Sequence, residues 1–270
     1  MTGDAERALL DELLRLATRL AGDAADLIVD GLGRARAEVG TKTTPTDMVT
    51  EMDRASESLI VAGLRAARPD DGILGEEGSA SAGTTGVRWL IDPIDGTTNY
   101  LYAMPGFAVS IAAEVDGERA VGVVNIPSLH DVFAATRGGG ATRNGEPIHC
   151  TDKSDLATAL VATGFAYDPE RRRAQAAVLA QVLPLVRDVR RVGAAAGDLC
   201  SVACGRVDAY YERGLGPWDL AAGALIAAEA GAVVGDLAGG SPSGEFVLAA
   251  PPELFDDLRR VLGAAGADRA

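Results

Sequence analysis

The sequence predicts a mixed α and β protein with an α+β half followed by an α/β half. Leucines at helical spacing indicate a long helix from about Asp4 to Gly31. Turn-bounded apolar segments follow one another between Val87 and Gly145, a pattern typical of an antiparallel meander. After Leu156, short apolar segments alternate with Ala-rich stretches, which favours an α/β arrangement.

The elements of the first half follow from the same patterns. A second helix is predicted from about Met48 to Arg68, and Ile73-Leu74 indicates the end of a strand. The remaining strands are assigned to Val87–Ile91, Phe107–Val115, Arg119–Ile126 and Val132–Ala135, with a hairpin around Arg143-Asn144-Gly145. These strands are expected to form one antiparallel sheet.

The second half should alternate strands and helices. Strands are predicted at Leu160–Ala162, Val189–Val192, Val207–Tyr211 and Phe246–Ala249, and helices near Pro169–Val182, Ala195–Cys204 and Trp218–Ala230. A chain of 270 residues can bury one substantial core. We therefore expect residues 1–150, with the metal-binding motifs, and residues 151–270 to pack as one compact catalytic unit.

Charge and composition limit the possible partners. The formal net charge of −14 argues against nucleic-acid binding, because phosphate backbones are recognised chiefly by Lys and Arg. A phosphorylated substrate would then be held by bound metal rather than by a basic patch. Charged residues interrupt the first apolar segment, so we expect no signal peptide, no membrane span and a cytoplasmic location. Three cysteines, few and odd in number, suit a reducing compartment: Cys150, Cys200 and Cys204.

The segment from Trp89 to Tyr100 carries the strongest chemical signal. An apolar strand delivers Asp92 and Asp95 into a turn that Pro93 stiffens and Gly96 leaves open to a ligand. A short helix then begins, and its first N–H groups could receive an anion. The structural alternative is an Asx-turn that caps this helix.

Further acids occur where other elements begin or end. Glu76 and Glu77 follow a strand, and Asp219 opens a helix. Clustered carboxylates favour hard cations, and Mg²⁺ in particular binds oxygen ligands together with substrate phosphate. A zinc site is not expected, because His130 and His149 have no closely spaced cysteine or histidine partners.

Several blocks of the chain together resemble the inositol monophosphatase family of Mg²⁺-dependent, lithium-sensitive phosphatases. The blocks run in the family's order over nearly the whole chain: Lys42 to Asp53, Gly75-Glu76-Glu77, Trp89 to Asn99, Arg191 to Ala196, Asp208 to Glu212, and Trp218-Asp219 with Ala221-Ala222-Gly223. The resemblance implies the layered α-β-α-β-α sandwich of the sugar phosphatases. It also implies a homodimer.

The resemblance implies roles for individual residues. Two to three Mg²⁺ ions would be held by Glu76, Asp92, the carbonyl of Ile94, Asp95 and Asp219, with Asp92 bridging two ions. The catalytic set would be Thr97, Asp53 and Glu76, with Thr97 and Asp53 orienting the attacking water. Lys42 and Asp47 would lie in the shell behind these groups, or be a solvated lysine and a helix cap. Phosphate would bind the N–H groups of Gly96 and Thr97, and the alcohol would contact Asp95, the backbone of Gly193 and Ala195, and Glu212, which could instead be a surface strand-end residue.

Three residues depart from the family pattern: Tyr102 changes a contact behind the site or between subunits, whereas Ala194 and Phe165 remove hydroxyls near the alcohol side. Tyr102 follows Asn99 where relatives have His, Ala194 stands where they often have Ser or Thr, and Phe165 replaces a Ser of some inositol enzymes. The resemblance as a whole implies a phosphomonoesterase for myo-inositol monophosphates and related small polyol phosphates. The enzymatic alternatives are phosphatases of histidinol phosphate, fructose 1,6-bisphosphate or a 3′-phosphoadenosine nucleotide. The non-enzymatic alternative is a regulatory protein that binds transcription machinery.

Overall fold

The structure is a computed structural model, and it describes residues 3–34, 39–41 and 48–270. In these residues, two large sheets and the helices alternate as five layers, which confirms the predicted layered sandwich. The seven α-helices of this part of the chain are α1 (Gly3–Gly31), α2 (Glu51–Ala67), α3 (Thr97–Leu101), α4 (Pro169–Val182), α5 (Ala195–Ala203), α6 (Pro217–Glu229) and α7 (Pro252–Ala264).

The larger sheet has eight strands. They are β3 (Gly72–Gly75), β4 (Ala80–Ser81), β5 (Val87–Asp95), β6 (Ala108–Val115), β7 (Glu118–Ile126), β8 (Asp131–Thr136), β9 (Gly140–Arg143) and β10 (Glu146–Pro147). Their spatial order is β10-β9-β8-β7-β6-β5-β3-β4. A separate two-stranded ribbon pairs β1 (Val39–Thr41) with β2 (Met48–Thr50).

The smaller sheet has five strands. They are β11 (Leu160–Thr163), β12 (Asp188–Arg190), β13 (Ala209–Glu212), β14 (Val233–Gly235) and β15 (Val247–Ala250), and their order is β12-β11-β13-β15-β14. Strand β11 is parallel to both of its neighbours, whereas β15 is antiparallel to β13 and β14.

Each layer is explained by the apolar face that it buries. Helices α1 and α2 cover the outer face of the larger sheet with a leucine stripe that includes Leu13, Leu20 and Leu64. Helices α5 and α6 fill the space between the sheets, and α6 is apolar on nearly all sides because both of its faces are covered. Helices α4 and α7 cover the outer face of the smaller sheet.

The structure corrects several predicted boundaries. Met48–Thr50 is a strand, and the second helix begins only at Glu51, because the Thr50 side chain caps it by accepting N–H bonds from Met52 and Asp53. Strand β5 continues to Asp95 beyond the predicted end at Ile91. The larger sheet is also not wholly antiparallel, since β3 runs parallel to β5.

Strand β1 and three others among the described strands and α-helices had no prediction. Strand β4 lies within a Gly- and Ser-rich loop, β14 has only three residues, and α7 follows the last predicted strand. The apolar residues of α7 recur at helical spacing, so its sequence did carry a signal. None of the helices in the described residues combines the length and the apolar run that a membrane crossing requires.

Candidate active site

The end of β5 presents the paired aspartates. The register of β5 against β6 shifts between Asp92 and Asp95, so the chain bulges where these carboxylates emerge. Asp92 Oδ1 accepts a hydrogen bond from the Ile94 N–H at 3.0 Å, and the Ser56 hydroxyl of α2 donates to the Pro93 carbonyl at 3.1 Å. The turn is therefore fixed both from within and from the helix behind it.

Gly96 allows the turn to pass into α3. Its φ is +85°, and a Cβ atom there would lie 3.1 Å from the Ala194 Cβ and 3.2 Å from the Gly193 carbonyl oxygen. Only glycine combines this left-handed conformation with so close an approach. Gly96 thus brings the first turn of α3 against the chain that leads into α5.

Thr97 and Asp53 form the hydrogen-bonded pair that the sequence predicts. The Thr97 hydroxyl lies 3.1 Å from Asp53 Oδ1 and 3.1 Å from the Ile94 carbonyl oxygen. Asp53 is fully buried and also accepts bonds from the Thr50 N–H and hydroxyl, so it completes the capping box of α2. One carboxylate therefore both starts a helix and holds the Thr97 side chain.

The loop that carries Glu76 is held by a residue that sequence reasoning missed. Glu57 of α2 is 3% exposed, and its carboxylate accepts bonds from the N–H groups of Glu77 at 2.8 Å and Ser79 at 3.0 Å. Gly75 makes room for it, because a Cβ at that position would lie 2.3 Å from Glu57 Oε2. The available signal was a second acid, besides Asp53, on the side of α2 that also carries apolar residues such as Ile60 and Leu64.

Asp219 enters the site from the first turn of α6. Its Oδ2 accepts a 2.6 Å bond from the Gly216 N–H, which closes the helix N-terminus. The Ser110 hydroxyl of β6 donates to the Trp218 carbonyl at 3.4 Å and ties this turn to the larger sheet. Near the start of β5, the buried indole of Trp89 donates a hydrogen bond to Asp71 Oδ2 at 2.9 Å and packs within the same sheet.

The clustered acids raise one another's pKa. Burial raises the pKa of Asp92 well above its usual value, and the charges of Glu76, Asp95 and Asp219 raise it further. Burial, followed by the Glu76 charge, raises the pKa of Asp219 to about 7. A proton or a cation shared between Asp92 and its neighbours Glu76 and Asp219 would relieve this repulsion.

Asp95 is tied to the N-terminus of α5. Its two oxygens accept the N–H groups of Ala195 at 3.0 Å and Ala196 at 2.7 Å. Burial and the charge of Asp219 nevertheless raise the pKa of Asp95 well above its usual value. The backbone of Ala195 was expected to contact the alcohol, but its N–H is already engaged within the protein.

Glu212 lies at the end of β13 in the same cleft. The Tyr210 hydroxyl donates to its Oε2 at 2.5 Å, and burial raises the pKa of the carboxyl group despite this bond and the nearby charge of Arg191. A Cβ on Gly164 would overlap the Glu212 carboxylate, at 1.8 Å from Oε2. Gly164 therefore creates the space in which this acid is held.

These side chains surround one cleft of about 330 Å³. Its wall contains Glu76, Asp92, Ile94, Asp95, Gly96, Thr97, Gly193, Ala195, Glu212 and Asp219. Asp53 is buried directly behind Thr97, and Lys42 and Asp47 lie outside the described residues. The structure thus brings together every predicted site residue that it describes.

The cleft also contains cations that the overall charge did not predict. Arg171, Arg191 and Arg213 also line its wall, as does Phe165. Their signal in the sequence was local, because Arg191 lies two residues before Gly193 and Arg213 directly follows Glu212, both predicted site residues. Net charge is a sum over the whole protein, so it does not reveal that these arginines line the cleft.

The donor set fits a hard cation. In the described part of the chain, no three carboxylate, imidazole or thiol groups are gathered closely enough to form a ready-made ligand cage. Four carboxylates around one cleft repel one another, and closer approach needs a proton or a cation between them. Oxygen donors alone, with no cysteine or histidine among them, suit Mg²⁺. All three cysteines are free thiols.

Comparisons with known proteins agree with this site. The family model described as "Inositol monophosphatase family" matches residues 9–265. The inositol-1-monophosphatase SuhB of Mycobacterium tuberculosis is 48% identical over 86% of this chain and 82% of its own length. The Nus factor SuhB of Pasteurella multocida is 40% identical over 93% of this chain and 96% of its own.

Similarity extends to solved structures. The extragenic suppressor protein SuhB of Bartonella henselae superposes with a TM-score of 0.89 at 34% identity, covering 93% of this chain and 98% of that one. The family model, the relatives and the structural match all cover the residues that build the acidic cleft. The chain belongs to the inositol monophosphatase family, a family of metal-dependent phosphatases.

Proposed function

We propose that this protein is a Mg²⁺-dependent phosphomonoesterase that hydrolyses myo-inositol monophosphates and related small polyol phosphates. The observation that carries the proposal is the convergence of four carboxylates and the Thr97–Asp53 pair on one cleft. The names of its relatives support the inositol substrate. The dimeric state and cytoplasmic location expected from the sequence remain part of this proposal.

The acids divide between two main cation sites. Glu76, Asp92 and the Ile94 carbonyl would hold one Mg²⁺, and Asp92, Asp95 and Asp219 a second, with a third, weaker ion at Glu76. When bound, these ions would neutralise the carboxylates, lower the pKa of a water molecule and withdraw charge from the phosphate. Asp92 suits the role of the ligand shared by the two ions, because the charges of Glu76, Asp95 and Asp219 all raise its pKa.

Thr97 orients the attacking water. Its hydroxyl donates to Asp53, so an oxygen lone pair is left to accept a proton of a water molecule in the cleft. Buried Asp53 fixes the rotamer of Thr97, and a water held in this way would approach the phosphorus from a defined side. The N–H groups of Gly96 and Thr97 would bind phosphate oxygens.

The alcohol lies toward Glu212. One oxygen of this carboxylate accepts the Tyr210 hydroxyl, and the other is free to accept a bond from a substrate hydroxyl. Asn99 donates to the Val192 carbonyl at 2.9 Å and so steadies the chain at Gly193, whose backbone borders the same region. Ala194 is buried against Gly96, so the hydroxyl that many relatives carry there is missing from the alcohol side.

A panel of phosphate esters tests the proposal. Inositol 1-phosphate, glycerol 2-phosphate, histidinol phosphate, fructose 1,6-bisphosphate and 3′-phosphoadenosine 5′-phosphate would each be assayed with Mg²⁺ and with chelator. We expect Mg²⁺-dependent phosphate release with the highest kcat/KM for inositol phosphate. We also propose millimolar inhibition by lithium, on the resemblance alone. Turnover in chelator would refute the metal proposal, and preference for another ester would assign one of the alternative substrates.

A second candidate function is a role in transcription. It is favoured by one observation, the 40% identity to a relative named Nus factor SuhB over nearly the whole of both chains. Affinity capture of RNA polymerase from extract by the tagged protein tests it. Retention of polymerase by an Asp92→Asn variant that lacks phosphatase activity would show that the two functions are separate.

A further inference from the structure

The wall of the cleft includes an unpaired guanidinium. Arg171 lies in the first turn of α4, and its Nε is buried with no hydrogen-bond partner in the described part of the chain. Its guanidinium forms no ion pair with any described carboxylate, although Asp168 lines the same wall. The Asp168 side chain instead caps α4 by accepting the N–H groups of Glu170 and Arg171.

A buried donor without an acceptor is costly and therefore informative. Most buried polar groups in folded proteins have partners, and a buried N–H left without one loses its hydration with nothing in return. Arginine cannot avoid this cost by deprotonation. An anion delivered from the cleft would satisfy the group.

The surrounding backbone makes room for this guanidinium. Gly214 has a φ of +89°, and a Cβ at that position would lie 2.3 Å from Nη2 and 2.9 Å from Cζ of Arg171. The guanidinium thus lies against bare backbone on the chain between β13 and α6. Neighbouring cations reinforce the positive field, since Arg191 and Arg213 line the same region and the Arg213 Nε is also buried without a partner.

The order of the residues along the connection between β13 and α6 indicates which part of a substrate would meet Arg171. Asp219 and Glu212 lie at the two ends of a single connection, and Arg213 and Gly214 follow Glu212 immediately. A phosphate at the Asp219 end and an alcohol against Glu212 would direct the far side of the alcohol toward Arg171. Guanidinium groups bind phosphate through two parallel hydrogen bonds.

We propose that Arg171 forms a second anion subsite, which binds a second phosphate carried by the alcohol portion of the substrate. This inference rests on the proposed function, because it takes the acidic end of the cleft as the place of hydrolysis. It predicts that a polyol bisphosphate is a better substrate than the monophosphate that lacks the second group. The acidic cluster performs the reaction, and Arg171 selects among its substrates.

A matched pair of substrates tests the subsite. Fructose 1-phosphate and fructose 1,6-bisphosphate share the phosphate at C1 and differ only in the phosphate at C6, and release from each is measured at saturating Mg²⁺. We expect Arg171→Gln to lower kcat/KM for the bisphosphate about ten- to hundredfold and to change it less than about twofold for the monophosphate. Arg171→Lys should give an intermediate loss, because it keeps the charge without the paired donors.

Arg173→Gln is the control, since it removes a guanidinium from the same helix that is exposed, paired with Glu170 and absent from the cleft wall. It should leave both substrates unchanged. Equal losses on both substrates with Arg171→Gln, or no loss on either, would overturn the subsite. Failure of the wild type to hydrolyse either ester, or any ester of the panel above, would instead refute the proposed function.

Discussion

Asp92 combines nearly complete burial with the charges of three neighbouring acids. It is 2% exposed and has Glu76, Asp95 and Asp219 as charged neighbours. A shared cation resolves this conflict between burial and charge, and an amide at this position would remove both the charge and the bridge. Substitution of Asp92 is therefore the most direct test of the proposed metal sites.

We expect Asp92→Asn to lower Mg²⁺-dependent phosphate release by on the order of a hundredfold or more, because even outer-shell changes at metal sites cost about 10–100-fold. In chelator the variant should be as stable as the wild type or more so, because a like-charge repulsion has been removed. Phosphate assays and thermal unfolding check these two results. Normal activity would remove Asp92 from the site, and a loss of stability in chelator would mean that it supports the fold.

Glu212 should affect specificity rather than chemistry. Glu212→Gln removes one charged hydrogen bond to the alcohol, worth about 1.5–3 kcal/mol, so kcat/KM for inositol 1-phosphate should fall roughly ten- to hundredfold. An aryl phosphate without hydroxyls should be hydrolysed at the wild-type rate, at saturating Mg²⁺ in both cases. Tyr210→Phe is the companion variant, because it removes the partner of Glu212 and keeps the carboxylate. Equal losses on both substrates would assign Glu212 to the fold or the metal site.

Helix α2 links the core to the acidic site. Its apolar face packs against α1, while three polar residues of the same helix reach the site: Asp53 bonds Thr97, Ser56 bonds the Pro93 carbonyl and Glu57 holds the loop of Glu76. These polar groups recur at helical spacing on the buried side. One helix thus positions the turn after β5 and the loop after β3 relative to each other.

We expect Glu57→Gln to raise the Mg²⁺ concentration needed for half-maximal activity by about tenfold, because the amide can accept only one of the two N–H bonds that order the Glu76 loop. The maximal rate at saturating Mg²⁺ should change little. Glu51→Gln, an exposed acid of the same helix, is the matched control and should behave as wild type. If Glu57→Gln lowers the maximal rate with no change in Mg²⁺ requirement, Glu57 does not act through the loop.

Sequence patterns predicted elements whose stability is local. The hairpin at Asn144-Gly145 is one case, because both residues adopt positive φ, as the Asn-Gly pair favours. The turn of Asp92 and Asp95, the short helix after Gly96 and the start of α6 at Asp219 are others. Glu57 and Arg171 could not be assigned in this way, since their roles depend on which backbone segments the fold brings beside them. Strand β3 illustrates the same limit, because its parallel pairing with β5 depends on the path that the chain takes between the two strands.

The whole molecule concentrates acids with raised pKa values between its two sheets. Asp92, Asp95, Asp219, Asp198 and Glu212 all have pKa values raised by burial and are drawn from β5, α5, β13 and α6. The layered fold therefore assembles one acidic centre from segments that are more than a hundred residues apart. Because of this acidic centre, the stability of the folded protein should depend on pH and on bound cations.

The direction of this dependence follows from proton binding. An acid with a raised pKa in the folded state binds its proton more tightly there than in the unfolded chain, so its contribution to stability is greatest below the unfolded pKa and is lost as pH rises through the folded pKa. For Asp219 this window runs from its ordinary 3.8 to about 7. Asp219 is half-buried and faces the cleft, so water reduces the effect.

We therefore expect the melting temperature in chelator to fall by several degrees between pH 5 and pH 8, since 1 kcal/mol corresponds to about 2–4 °C in a protein of roughly this size. Mg²⁺ should restore stability most strongly at pH 8, where the carboxylates are charged and bind it best. Thermal unfolding at constant ionic strength measures both effects, and Asp219→Asn should flatten the slope in chelator. A melting temperature in chelator that stays level or rises across this window would mean that the buried acids do not hold their protons in the folded protein. The acidic cleft would then have to be stabilised by some arrangement other than shared protons.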